Sequence, residues 1–154
     1  RTEVVRTDGT TFTGTLAVTG TGPVNLRTLA NQNGYSGITN ATITFQVGSG
    51  VTLKGLASSG GAGGWGIDTG TWPSGTKTIS LTLQVSGNVY GGGGAGGVGS
   101  DDHLYSGTAG GDAITCHENI SITVNSGGSV KGGGGGGAVL PPPPHVPGQL
   151  GALM

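Results

Sequence analysis

The side chains best suited to chemistry stand together at Asp101-Asp102-His103-Leu104-Tyr105, in a loop that runs from Ser100 to Gly111 between two glycine tracts. A metal site would use Asp101 and His103, but an i, i+2 pair lacks a third ligand nearby unless symmetric copies of the chain supply it. Glycoside cleavage needs two carboxyl groups facing one groove, and neighbours such as Asp101 and Asp102 point apart in an extended chain. Contact with a receptor asks for less. Tyr105 offers flat area at low entropic cost, and Asp101, Asp102 and His103 offer polar contacts around it. The alternative without function is a solvated hairpin tip.

Trp65 and Tyr90 flank glycine tracts, where an aromatic ring either stacks on a saccharide or packs over bare glycine backbone. His117-Glu118 reads as a turn before a strand. Cys116 is the single cysteine, so no disulfide framework exists, and it reads as a small buried hydrophobe rather than a reactive thiol. Catalysis needs a nucleophile, a base and an orienting group in one place. The chain has no Gly-x-Ser-x-Gly elbow and no His-Glu-x-x-His, and any Gly-x-Gly-x-x-Gly match inside Gly91 to Gly97 follows from composition. We therefore expect no catalytic residues, no cofactor and no metal. Asn40-Ala41-Thr42 and Asn119-Ile120-Ser121 match the glycosylation sequon, which matters only in a secreted eukaryotic protein.

The elements that must position these residues are repeated. Ile120 to Asn125 alternates apolar and polar residues, turns through Ser126-Gly127-Gly128, and ends in Val130-Lys131 and the six glycines Gly132 to Gly137. Sliding back 41 positions lands this stretch on Ile79 to Gln84, Gly87-Asn88-Val89-Tyr90 and Gly91 to Gly94. A fainter copy lies a further 36 positions back, at Ile43 to Val47, Leu53-Lys54-Gly55 and the glycine-rich Ser59 to Gly64. Each copy is a half-buried strand that needs neighbours to cover it, so the chain reads as a mainly β repeat array. Runs of glycine either form flexible linkers or pack as extended three-residue-per-turn helices of the polyproline II kind, and recurrence at fixed offset favours packing.

Upstream, Glu3-Val4-Val5 and Thr11 to Val18 around Asp8-Gly9 suggest a hairpin. Val24 to Ala30 has room for two turns of helix at most and is expected to be a short irregular segment. In Asp68 to Gly75, Pro73 fixes φ, Gly75 supplies a positive-φ corner, and Trp72 caps a strand edge. Pro141 to Pro144 must be extended. The expected regions are 1–58 as an N-terminal β region, 59–138 as the glycine-rich repeats and 139–154 as a Pro-rich tail.

Glycine and proline take 37 and 7 of 154 positions, a share typical of disorder, but net charge is only −1 and the glycines cluster after strands, which favours order. Leu, Ile, Val and Phe make up roughly a fifth of the chain, a thin supply for a core. Association with other copies would remedy this. Charged residues are 8% of the chain and its six Lys and Arg are scattered, which excludes nucleic acid as a partner. No apolar run reaches the ~18 residues a membrane span needs. Arg1 opens without a signal peptide, as expected of a cut from a longer polypeptide.

The succession Asp68-Thr69-Gly70-Thr71-Trp72-Pro73-Ser74-Gly75, the Thr-rich strand ending Gly87-Asn88-Val89-Tyr90-Gly91, Gly111-Asp112-Ala113-Ile114 and Ile120 to Gly137 resembles the glycine-rich C-terminal part of lambda-type tail-tip attachment (host-specificity) proteins and related central tail fibres of long-tailed bacteriophages. The resemblance covers roughly residues 10 to 138, with Asn25 to Ala30 and Gly34-Tyr35 fitting the upstream strand region; Pro141 to Pro144 has no counterpart in it. It implies a non-catalytic homotrimer at the distal end of a virion tail, in contact with other tail proteins and with a bacterial surface receptor such as an outer-membrane protein, a pilus or a polysaccharide. Asp101, Asp102, His103, Tyr105, Trp65 and Tyr90 are then the candidate receptor contacts. A structural stalk of a fibre or of a bacterial adhesin is the alternative, and a polysaccharide depolymerase is a weaker third.

Overall fold

Alternation of apolar and polar residues sets the strands, and the strands of successive stretches pair in parallel. The computed structural model describes residues 3–7, 11–97 and 106–138, with side chains from residue 11 onward. The elements are β1 (Glu3–Thr7), β2 (Thr11–Val18), β3 (Val24–Asn25), α1 (Leu26–Gln32), β4 (Asn40–Val47), β5 (Thr52–Lys54), β6 (Ile67–Asp68), β7 (Ile79–Val85), β8 (Asn88–Tyr90), β9 (Ile114–Thr115), β10 (Ser121–Val124) and β11 (Ser129–Lys131). The fold is mainly β, with one short helix among the described residues.

The strands form three sheets among the described residues, ordered β1-β2-β4-β7-β10, β11-β8-β5 and β3-β6-β9. Only β1 with β2 is antiparallel, the hairpin expected from sequence, closed at Thr7 opposite Thr11. Every other pair is parallel. From β4 onward the chain passes through the three sheets in a fixed order, large sheet to β5 to β6, then β7 to β8 to β9, then β10 to β11, so it winds as coils. In the first coil, before β5 exists, the Thr21 carbonyl takes the edge position and accepts the Lys54 N–H at 3.1 Å.

The core fills the space the three sheets enclose. Phe12, Leu16 and Val18 of β2, Ile43, Phe45 and Val47 of β4, and Leu81, Leu83 and Val85 of β7 are buried in one cluster with Leu53, Val89 and Ile67 from the other two sheets. Each fully buried side chain of this size contributes about 1.5–3 kcal/mol. Along the outside, equivalent polar residues stack. Gln46 Nε2 donates to Gln84 Oε1 at 3.0 Å, Asn88 Nδ2 to Thr52 Oγ1 at 3.1 Å and Ser129 Oγ to Asn88 Oδ1 at 2.7 Å.

Register departs from the sequence alignment in one sheet. In the β5-β8-β11 sheet Thr52 faces Asn88 and Ser129 faces Asn88, as the aligned sequences would place them. In the large sheet Ile43 faces Leu81 and Ile122 faces Leu83, each two residues from the aligned partner. Corner length explains the slip. Between the large sheet and the next strand the first and third corners span residues 48–51 and 125–128, while the middle one has only Ser86 and Gly87. A shift of two keeps every side chain on its face, so the core tolerates it.

Several local expectations are corrected. Val24 to Ala30 was expected to be irregular, but α1 is a seven-residue helix: Asn25 Oδ1 accepts the Thr28 N–H at 3.0 Å as the N-cap, and Leu26 and Ala30 are buried one turn apart. Trp72 caps no edge. It is 8% exposed, stacks on Tyr35 with centroids 5.4 Å apart, and its indole N–H donates to the Thr69 carbonyl at 2.7 Å. The positive-φ corner of that turn is Gly70, at φ +72°, where a Cβ would meet the Arg27 side chain; Gly75 is in an ordinary conformation. Cys116 is exposed rather than buried, because β9 ends at Thr115 and leaves it outside the sheet.

Candidate functional site

Glycine-rich arms leave the coils where the chain passes from the β5-β8-β11 sheet to the β3-β6-β9 sheet. Residues 55–58, 91–97 and 132–137 lead away from β5, β8 and β11, and residues 61–66 and 106–111 lead back to β6 and β9. Their backbones bond directly to one another. Gly91, Gly94 and Gly97 donate to the carbonyls of Lys131, Gly134 and Gly137 at 2.9, 2.9 and 2.8 Å. Gly133 and Gly136 donate to Gly111 and Thr108, both at 2.8 Å, while Gly92 and Ala95 donate to Gly64 and Gly61 at 2.8 and 3.2 Å. Donors in each arm therefore advance by three residues. At the inward steps no side chain fits, since a Cβ on Gly92 would overlap the Leu56 carbonyl and one on Gly133 the Gly92 carbonyl.

Two hydroxyls are built into this frame among the described residues: Ser58 Oγ accepts the Gly60 and Gly61 N–H groups at 3.2 and 2.6 Å, and Thr108 ties separate arms together. Thr108 Oγ1 accepts the Ala95 N–H at 2.7 Å and donates to the Gly61 carbonyl, joining three arms. Sequence reasoning passed over it, as nothing marks one Thr among many before the pairing is known.

The expected site residues fall in different places. Asp101, Asp102, His103 and Tyr105 lie outside the described residues, as do Pro141 to Pro144. The sequence that contains the first four joins Gly97 to Ser106, the described ends of an outgoing and a returning arm. Tyr90 sits in the middle strand of the β5-β8-β11 sheet, with the Lys131 ammonium 5.9 Å from its ring centroid and the Ser129 hydroxyl 3.3 Å from its own. Trp65 stands at the root of the first returning arm and lines a groove of about 420 Å³ with Thr19, Val24, Thr28, Leu29 and Gln32. No hydrogen bond or ring contact joins Trp65 to Tyr90 among the described residues.

His117 is more than a turn. Its Nδ1 lies 2.9 Å from Asp68 Oδ1, which also accepts the Gly70 N–H at 2.7 Å, and its backbone N–H donates to Thr69 Oγ1 at 2.8 Å. These bonds latch the segment after β9 to the turn after β6. Arg27 plays a similar part on the other side of the turn: its guanidinium lies 5.0 Å from the Tyr35 ring and 5.3 Å from the Trp72 ring, and donates to the Thr71 carbonyl at 2.9 Å. Burial pushes the Tyr35 phenol above its ordinary pKa, with Arg27 working in the opposite direction. Among the described residues no three His, Cys, Asp or Glu side chains are grouped to hold a metal. No helix among them is long and apolar enough to cross a membrane.

Comparison with protein families decides what carries this frame: the model of the phage tail fibre adhesin Gp38 matches residues 11–151. The chain belongs to that family. It is a host-attachment module of a phage tail fibre and is located in the virion tail. The broad expectation from sequence, a phage tail protein that attaches to the host, holds, and the family found is that of the tail fibre adhesins. No curated protein and no solved structure matches the chain. The adhesin's family role is binding, to the host surface and within the phage tail.

Proposed function

We propose that the adhesin holds its receptor-contacting loops on a bundle of extended glycine helices, each with three residues per turn, and that it performs no catalysis. The observation that carries this reading is the three-residue step of the hydrogen bonds between arms, which a flexible linker would not keep. The receptor contacts are Asp101, Asp102, His103 and Tyr105 in the loop between two arms, with Trp65 and Tyr90 as aromatic contacts nearer the coils. The receptor is an outer-membrane protein, a pilus or a surface polysaccharide.

The reading that the chain is three copies of one unit is supported by the order in which it visits the sheets and by the ladders of equivalent residues. We keep 1–58, 59–138 and 139–154 as its sequence regions, with the first two contributing strands to one large sheet. A homotrimer, proposed from the thin core and from the lambda-type resemblance, has one observation in its favour. Ile122 and Val124 are 42% and 49% exposed, although their ladder partners Leu83 and Val85 are buried, so the last described coil offers apolar surface for association.

Adsorption competition tests the function. Purified 1–154, its mass checked by light scattering, is added to susceptible bacteria before the phage. Blocked adsorption, lost when Asp101, Asp102, His103 and Tyr105 are replaced by Ala, supports the reading. A folded protein that never blocks favours the stalk alternative.

A further inference from the structure

We propose that the groove beside Trp65 is a binding site for a neutral saccharide, distinct from the loop between the arms. It rests on the adhesin reading for its class of ligand, and its location comes from the structure. Thr19 follows β2, Val24 to Gln32 supply β3 and α1, and Trp65 closes the groove from the root of the returning arm. Its volume of about 420 Å³ lies in the range of small-molecule sites.

The lining selects the chemistry. Trp65 is half-buried and offers a partly open indole, the kind of face on which the C–H groups of a pyranose ring pack. Val24 and Leu29 extend the apolar side. Around it, the Trp65 indole N–H, the Gln32 carboxamide and the Thr19 and Thr28 hydroxyls form no hydrogen bonds among the described residues, whereas Asn25, deeper in the groove, is occupied as the helix cap. The groove thus combines one aromatic platform with donors and acceptors of both kinds. Among the described residues no charged side chain lines it. The nearby cation Arg27 is already engaged by Tyr35, Trp72, Asn31 and the Thr71 carbonyl. An anionic sugar would find no counter-charge, and a protein partner would find little apolar area to bury.

The test uses the whole chain labelled with nitrogen-15 and titrated with methyl glycosides of glucose, galactose, mannose and N-acetylglucosamine, with glucuronate as the charged control. The two tryptophans give two indole N–H signals, and Trp72, being buried, serves as the internal reference. The expected result is a saturable shift of the Trp65 signal with at least one neutral glycoside and none with glucuronate. Gln32→Ala should weaken that binding roughly five- to tenfold, the effect of one lost hydrogen bond. Trp65→Phe should keep part of the affinity and Trp65→Ala none, read from the Gln32 carboxamide and Thr28 amide signals. A Trp65 signal unmoved by every neutral glycoside overturns the proposal. So does an equal response to glucuronate, or a groove variant that instead loses binding to another tail protein. Adsorption blocked by a chain whose Trp65 ignores all glycosides would sink the groove site alone and leave the adhesin reading standing.

Discussion

Within the run Gly132 to Gly137, alanine substitution should follow a period of three. A Cβ on Gly133 would overlap the Gly92 carbonyl, and one on Gly136 the Ala95 carbonyl. Gly134 and Gly137 have open space around the same position, and Gly132 and Gly135 have only ordinary contacts, at 3.6 and 3.5 Å. At the two crowded positions the obstacle is backbone, which cannot rotate away. Overpacking costs about 1–3 kcal/mol. Displacing the arm also weakens the bonds from Gly133 to Gly111 and from Gly136 to Thr108, at about 1 kcal/mol each. Against this stands a gain of about 0.4–1 kcal/mol from the stiffer unfolded chain.

The net expectation is a loss of about 2–4 kcal/mol for Gly133→Ala and Gly136→Ala, and no loss or a slight gain for Gly134→Ala and Gly137→Ala. Urea unfolding gives these differences directly, and in a thermal melt they correspond to roughly 5–15 °C. Because this arm lies on the outside of the described bundle, amide exchange at Gly133 and Gly136 provides a local reading, faster by roughly 30-fold or more. If the neighbours Gly133→Ala and Gly134→Ala differ by less than about 0.5 kcal/mol, the scale of an ordinary surface change, the tract is a linker and the packing argument fails.

Three further outcomes can be checked by similar means. Tyr35 is buried and its phenol titrates above its ordinary value in the fold, so its contribution to stability is complete below the unfolded pKa of 10.0 and is lost as pH rises through the folded one. Unfolding at pH 9 to 11 should show the decline, and Tyr35→Phe should flatten it while costing about 1 kcal/mol for the bond to the Thr39 carbonyl. Asn25→Ala should cost about 1 kcal/mol through loss of the helix cap, measurable by urea unfolding. Thr108→Val removes the hydroxyl between Ala95 and Gly61, while the Ala95 N–H keeps its longer bond to the Gly61 carbonyl, and should cost about 1 kcal/mol, with faster amide exchange at Ala95.

The strands were legible in the sequence because their signal is local. Ile43 to Val47 and Ile79 to Gln84 alternate plainly, and their burial follows the same alternation. What could not be read was set by distance. The two-residue slip of the large sheet depends on corner lengths that align poorly in a gapless comparison. The helix is hard to read because Pro23 before it and Asn33-Gly34 after it leave room for two turns at most and suit a loop equally well. Trp72 looked like an edge residue beside Pro73, and its place in the core depends on Tyr35, Phe45 and Arg27, none of them near in sequence. For the candidate site, sequence picked out Trp65 but could not supply Thr28 and Gln32, whose i, i+4 relation matters only once they lie on a helix.

The arms also show why a frame of glycine suits an adhesin. In a sheet with a packed face, changing a connecting loop risks the side chains beneath it, but apart from the Thr108 hydroxyl the arms pair through backbone atoms, and a Cβ at their inward glycines would overlap backbone. Where the arms do carry larger residues, these stand at outward steps: Leu56 is 68% exposed, and Ala57 and Ala109 are exposed as well. The buried exceptions are small or bonded, Ala95 at the crossing where Thr108 joins three arms. Stability of such a frame depends on phase, with one crowded residue in every three along the outer arm 132–137 and more along the arm 91–97, where Gly91, Gly92 and Gly94 all face backbone, and hardly at all on the sequence that joins one arm to the next. On the proposed reading, the connecting loop with Asp101, Asp102, His103 and Tyr105 can therefore change its side chains, and with them its receptor, without any compensating change in the coils.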